Sequence, residues 1–155
     1  MPQEQYEIKG KVKWVLRDEF GNIKEEGEYE NTVTALHDAL VADRLAGGSD
    51  QLINWGHAGT GSGQTSSSTI LASEFAESRT TLTSATQQAG GDDNDVKYTF
   101  TLGAGICTGN IEEIGIFTSE AYNSGGLCCY NDTISLTKGA SDTLTVEWTV
   151  TYGAS

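Results

Sequence analysis

Residues 143–152, near the end of the chain, alternate between apolar and polar side chains without interruption. One set of positions is apolar: Leu144, Val146, Trp148, Val150 and Tyr152. The other set contains four threonines and Glu147. Side chains of an extended strand point alternately to its two faces, so this pattern predicts a β-strand with one buried face.

The first long segment, residues 8–17, shows the same alternation and places Lys9, Lys11 and Lys13 on its polar side. Turn residues at 18–22 connect it to a second strand, at 23–29, which predicts a β-hairpin. The lysine row has two interpretations. It is either a docking face for an acidic partner or a means of keeping an edge strand from pairing with other chains.

A single helix is predicted over residues 33–46. Asn31, Thr32 or Thr34 is suited to cap its N-terminus, and Gly47 and Gly48 end it. Its apolar residues cover more than one narrow stripe, so we expect it to lie against a sheet and under a loop.

The rest of the sequence predicts further short strands separated by turns. Residues 56–68 are rich in Gly, Ser and Thr and predict a flexible loop, and a threonine-rich strand is expected over residues 79–88. Short strands at this spacing are typical of an antiparallel sandwich. We therefore predict one domain over residues 1–155: a jelly-roll-like antiparallel β-sandwich of seven or eight strands with one helix and an N-terminal arm, residues 1–6.

Charge and cysteine content exclude several classes of protein. Asp and Glu number 22 against 9 Lys and Arg, a net charge of −13, which disfavours nucleic acid as a partner. We see no signal segment or membrane span and expect a soluble, untargeted product. Cys107, Cys128 and Cys129 do not form a disulfide framework. We expect them to be small buried hydrophobes, with 128 and 129 on opposite faces of a strand.

Catalytic motifs are not recognisable. The glycine run at residues 59–63 is followed by Gln64 and Thr65, and not by the Lys-Ser/Thr pair of a phosphate-binding loop. His37 and His57 are the only histidines, and no serine lies in a Gly-x-Ser-x-Gly elbow. Glu112 and Glu113 are adjacent, so in a strand they point to opposite faces and cannot act as a carboxylate pair. We expect a protein without enzymatic activity or cofactor.

Two sets of residues are candidate binding sites. Asp92, Asp93 and Asp95 form a weak calcium candidate, because the oxygens suit the ion but EF-hand spacing is absent. The polar side of the last strand, with Thr145, Thr149 and Thr151, predicts a flat and weakly charged surface that is suited to contact another subunit. We combine these threonines with the lysine row as candidate partner-binding residues.

From Asn31 onward the order of features resembles a family of small virion structural proteins of tailed bacterial and archaeal viruses. The resemblance runs through the following positions: Asn31, Val33, Leu36, Gly59, Thr60, Gly61, Leu71, Glu74, Arg79, Phe100, the 111–117 segment, Leu127, Leu136, Lys138 and the 144–148 strand. It implies a capsid decoration or tail-associated protein without catalytic residues. As an interpretation of why both occur in this pattern, we expect Arg79 and Glu113 to form a structural ion pair.

The resulting hypothesis is a capsid decoration (cement) protein that binds the outer capsid surface as a homo-oligomer. Its partners would be the major capsid protein or other virion proteins, and its location the virion, assembled in the host cytoplasm. A tail fibre, baseplate or tail-adaptor component is the main alternative. A carbohydrate-binding module is the third, with Trp55, Tyr122 and Tyr130 left for sugar stacking.

Overall fold

The computed structural model describes residues 7–89 and 94–153. The elements in this part of the chain are β1 (Ile8–Arg17), β2 (Ile23–Glu30), β3 (Thr32–Val33), α1 (Ala35–Leu45), β4 (Trp55–Gly59), β5 (Thr80–Thr81), β6 (Ser84–Gln87), β7 (Asp95–Leu102), β8 (Gly109–Ile111), β9 (Glu113–Phe117), β10 (Leu127–Asn131), β11 (Leu136–Lys138) and β12 (Thr143–Tyr152). The predicted N-terminal arm lies outside the described residues.

The strands form two five-stranded antiparallel sheets and a small pair. The first sheet has the order β2-β1-β12-β7-β6, the second sheet has the order β3-β10-β9-β4-β5, and β8 pairs with β11. The prediction of a mainly β, sandwich-like fold with one helix is confirmed. The strands outnumber the predicted ones because several contain only two or three residues. The expected strand at 79–88 is divided into β5 and β6, which belong to different sheets.

The main core lies between the two sheets. The inward residues of β1, β7 and β12 pack against those of β4, β9 and β10, and Phe100 and Trp148 are completely buried. Gly56 in β4 lets the Phe100 ring lie directly against the backbone of the second sheet, because a Cβ atom there would lie 2.3 Å from Cδ1 of Phe100. Residues 56–59 are therefore a strand, and the prediction of a flexible loop was wrong for them.

Helix α1 lies within the predicted range and packs against β10. Thr34 is its N-cap, and its hydroxyl oxygen accepts a hydrogen bond from the His37 backbone N–H at 3.4 Å. Gly47, with φ +82°, follows the last turn, as expected for a C-terminal glycine. His37 and Leu40 are the buried residues of the helix.

The three cysteines are free and buried, as predicted for small core residues. Cys128 and Cys129 both belong to the main core and do not lie on opposite faces of a regular strand. The pairing of β10 with β9 shifts between Leu127 and Cys129, and this irregularity places both side chains on the core side.

Residues 60–79, called here the covering segment, cross the outer side of the second sheet. On β9, Ile114 and Ile116 point into the main core, so Glu113, Gly115 and Phe117 point the other way. A second core forms on that side from Leu71 of the covering segment with Phe117, Leu127 and Tyr130. All five residues of β9 are buried as a result.

Candidate interaction surface

The outer face of the first sheet brings together the six residues predicted to bind a partner. In the pairing of β1 with β12, Lys9 lies opposite Thr151, Lys11 opposite Thr149 and Lys13 opposite Glu147. Thr145, two residues before Glu147 on the same face of β12, lies opposite Val15. The lysine and threonine rows are therefore neighbouring rows of one exposed face.

The edge-strand interpretation of the lysine row was wrong. Strand β1 pairs with β2 on one side and with β12 on the other, so it has no free edge. The edge strand next to β1 is β2, whose four glutamates are exposed: Glu25, Glu26, Glu28 and Glu30. Like charges along an edge disfavour pairing with a second copy of the same strand.

Charges on this face are arranged in rows that follow the strands. Glu28 and Glu30 of β2 lie opposite Lys13 and Lys11 of β1. On the far side of the threonine row, Lys97 of β7 forms an ion pair with Glu147 at 3.3 Å. The face therefore consists of four rows: an acidic row on β2, a basic row on β1, a threonine row with one glutamate on β12, and a mixed row with one lysine on β7.

The calcium candidate is only partly described. Asp92 and Asp93 lie outside the described residues. Asp95 begins β7, and its Oδ1 accepts a hydrogen bond from the Thr151 hydroxyl at 2.6 Å. In the part of the chain that the structure describes, no three His, Cys, Asp or Glu side chains are grouped in a way that could hold a metal ion.

Arg79 does not pair with Glu113, so this prediction was wrong. Arg79 instead donates to both carboxylate oxygens of Glu74, at 3.0 and 2.8 Å, and its guanidinium carbon lies 3.6 Å from the ring centre of Phe117. Phe117 and Glu113 are four residues apart on the same side of β9, a separation of about 13 Å. A guanidinium held over the Phe117 ring therefore lies too far from Glu113 to pair with it.

Glu113 has a different role, because it anchors the covering segment to β9. Its carboxylate is fully buried and accepts backbone N–H groups of Ser73 at 2.7 Å, Ala72 at 3.0 Å and Gly61 at 3.2 Å. The side-chain amide of Gln64 also donates to it. A carboxylate that is removed from water needs several such donors.

The covering segment lies so close to β9 that positions 59 and 61 must both be glycine. A Cβ atom on Gly59 would lie 2.3 Å from Glu113 Oε1 and 2.4 Å from the Ser73 carbonyl oxygen. A Cβ atom on Gly61 would lie 2.7 Å from Ala72 Cβ. Several of the positions that carry the resemblance therefore lie at the contact between the covering segment and the second sheet. They are Gly59, Gly61, Leu71, Glu74, Arg79, Phe117 and Leu127.

Cys107, His57 and Glu74 form a buried array that has the composition of a thiol catalytic site. Cys107 Sγ lies 3.5 Å from His57 Nδ1, and His57 Nε2 lies 3.7 Å from Glu74 Oε2. His57 Nε2 also donates to the Phe75 carbonyl oxygen at 2.9 Å. Burial, and next the hydrogen bond and charge of Glu77, raise the pKa of the Cys107 thiol, which keeps it neutral and a weak nucleophile. The side chain has no exposed surface, so the array packs the interior.

His37 belongs to a second buried hydrogen-bonded chain. Its Nδ1 donates to the Cys128 carbonyl oxygen at 3.2 Å, so Nε2 accepts from the Tyr152 hydroxyl at 2.8 Å, and the Tyr98 hydroxyl lies 2.6 Å from that of Tyr152. Burial lowers the pKa of His37 to about 4 and raises the pKa of Tyr98 to about 12. This chain connects α1 to the first sheet.

The aromatic residues considered for sugar stacking are not assembled into one exposed platform. Tyr130 is only 4% exposed and packs in the second core, and Trp55 is half-buried against the same core. Tyr122 is 45% exposed, on the turn between β9 and β10. Sequence reasoning missed the roles of Glu74 and Gln64 and the contact of Cys107 with His57, because no periodicity or spacing marks contacts that a distant loop creates.

Comparison with family models, with curated proteins and with solved structures found no match to the chain. Among the described residues, no helix has the length and apolar content needed to cross a membrane.

Proposed function

We propose that this chain is a virion structural protein, a decoration protein that binds the outer surface of a capsid and stabilises the particle. The observation that supports the proposal best is the outer face of the first sheet. There, Lys9, Lys11 and Lys13 lie in register beside the row that contains Thr149 and Thr151. Neighbouring rows of short β-branched and charged side chains suit repeated protein contacts on a lattice, where avidity multiplies weak contacts.

The arrangement of the covering segment also supports the proposal. Several of the positions that carry the resemblance to virion structural proteins lie where Glu113 and Arg79 fix this segment to the second sheet. Both side chains are buried, so they maintain the shape of the domain and leave the opposite sheet free for contacts.

Imaging of purified virus particles with an antibody against this chain tests the proposal. Label over the capsid surface is the expected result. Label at the tail instead identifies the chain as a tail fibre, baseplate or adaptor component. Particles that contain none of the chain contradict both assignments.

Particle binding by recombinant variants tests the role of the face itself. Lys11→Glu reverses a charge in the lysine row, so we expect lower occupancy on particles that lack the native protein. Arg44→Glu makes the same change in net charge on the exposed end of α1 and is the matched control. Equal occupancy for the two variants would contradict a role for this face.

A further inference from the structure

We propose that the partner on the outer face of the first sheet is a second copy of this chain, related by a two-fold axis that runs parallel to the strands between β1 and β12. This deepens the proposed function and rests on it, because it makes the repeated contacts of this face contacts between copies of the chain, and paired copies bind a particle more strongly through avidity. A two-fold interface uses one surface patch on both copies, so the patch must be complementary to itself.

The strand register aligns the outward side chains of neighbouring strands across the sheet. Each set of side chains that lie opposite one another is called a level here. One level contains Glu28, Lys13, Glu147 and Thr99 in that order, from β2 to β7. The next level contains Glu30, Lys11, Thr149 and Lys97. In the first level the charge changes sign from β2 to β1 and again from β1 to β12, and in the second level it changes sign between β2 and β1 only.

Rotation about the proposed axis places β1 of one copy over β12 of the other, and β2 over β7. Lys13 then faces Glu147 of the second copy, and Glu30 faces Lys97 of the second copy. Symmetry repeats both pairs. Lys11 and Glu28 face threonines, Thr149 and Thr99 respectively, so these two levels bring no like charges together.

Other axes parallel to the strands fit this face less well. An axis above β1 places lysine on lysine, and an axis above β2 places glutamate on glutamate. An axis between β1 and β2 pairs Lys13 with Glu28, but only two strands overlap. The axis between β1 and β12 combines opposite charges with an overlap of four strands.

The contact area reaches the lower end of the range for specific protein interfaces. Four strands of about 30 Å length at about 4.8 Å spacing cover about 600 Å² per copy, or about 1,200 Å² in total. This is the lower limit for a stable interface. Two packed sheets keep their strands within about 30° of each other, which preserves the pairs nearest the axis, Lys13 with Glu147.

Charge reversals at these two positions test the axis. Lys13→Glu faces Glu147 of the second copy, and Glu147→Lys faces Lys13, so each variant repels its own second copy. A heterodimer of the two variants has opposite charges at both contacts, because the two reversed residues face each other at one contact and the two native residues, Lys13 and Glu147, face each other at the other. We expect each variant alone to dimerise at least tenfold more weakly than the native chain, and the mixture to form heterodimers at near-native affinity.

Sedimentation velocity at low salt measures these affinities, with Arg44→Glu as the control for net charge and circular dichroism as the check of folding. A native chain that is monomeric, variants that dimerise as the native chain does, or a mixture without heterodimers would each overturn the proposed interface. Failure of the proposed function gives a different result. If the chain dimerises as described but is missing from particles, the proposed virion function is wrong and the proposed dimer is right. If the chain is a monomer that labels capsids, only the proposed dimer is wrong.

Discussion

The guanidinium carbon of Arg79 lies 3.6 Å from the centre of the Phe117 ring while its nitrogens bind both carboxylate oxygens of Glu74. The same guanidinium donates to the Gly125 carbonyl oxygen at 2.6 Å and to Ser119. One buried side chain therefore joins the covering segment, β9 and the turn between β9 and β10.

Replacement of Arg79 by alanine leaves the carboxylate of Glu74 buried without its cation. We expect Arg79→Ala to lower the free energy of unfolding by about 3 to 5 kcal/mol, because breaking a buried pair is more costly than the pair's net contribution. Urea unfolding followed by tryptophan fluorescence measures this change. Arg44→Ala, at the exposed end of α1, is the control and should change it by less than about 0.5 kcal/mol. Equal effects of the two variants would contradict the role of Arg79.

The glycine of β4 that faces Glu113 offers a direct test of the covering segment. Gly59→Ala introduces a Cβ atom 2.4 Å from the backbone oxygen of Ser73, so the segment must move away from the sheet. We expect a loss of about 2 kcal/mol or more in the free energy of unfolding. At Gly103 an added Cβ meets nothing within 4 Å, so Gly103→Ala is the matched control and should have little effect. Thermal denaturation of both variants measures the difference. Equal melting temperatures for Gly59→Ala and Gly103→Ala would contradict the close contact between Gly59 and the covering segment.

The chain should lose stability in mildly acidic solution because His37 is buried in its neutral form. Burial lowers its pKa to about 4, whereas the unfolded chain protonates it near its ordinary value of 6.5. The unfolded state therefore binds more protons between these values, and the stabilisation that is complete above pH 6.5 is lost as the pH falls toward 4. The expected loss is about 3 kcal/mol.

Denaturant unfolding at a series of pH values measures this loss. His37→Gln removes the titrating group, so the slope between pH 6.5 and 4 should become much shallower. If the slope of the His37→Gln variant equals that of the native chain, another group causes the acid sensitivity.

Long elements were predictable from the sequence because their periodicity extends over many residues. The alternation of β1 and β12 identified both strands and the lysine and threonine rows of the outer face. The N-cap of α1, Thr34, is one of three candidates that the sequence offered, and Gly47 and Gly48 marked its C-terminal end. In each case the signal is local, since capping and strand alternation depend on neighbouring residues.

Strand β4 and the covering segment were not predictable in the same way. Residues 55–59 contain two glycines and are buried on both faces, so they show no alternation, and Trp55 is their only typical β-forming residue. Glu113 is satisfied by three backbone N–H groups that are distant in sequence, and a backbone donor leaves no mark in the pattern of side chains. The expectation that it pairs with Arg79 considered side chains alone.

Self-association through the outer face of the first sheet is the central claim, and sedimentation equilibrium of the native chain tests it most directly. Surface charge pairs weaken as salt increases, so the account predicts twice the mass of one chain at low salt and a shift toward the single-chain mass at high salt. A mass equal to one chain at every concentration and salt would contradict it.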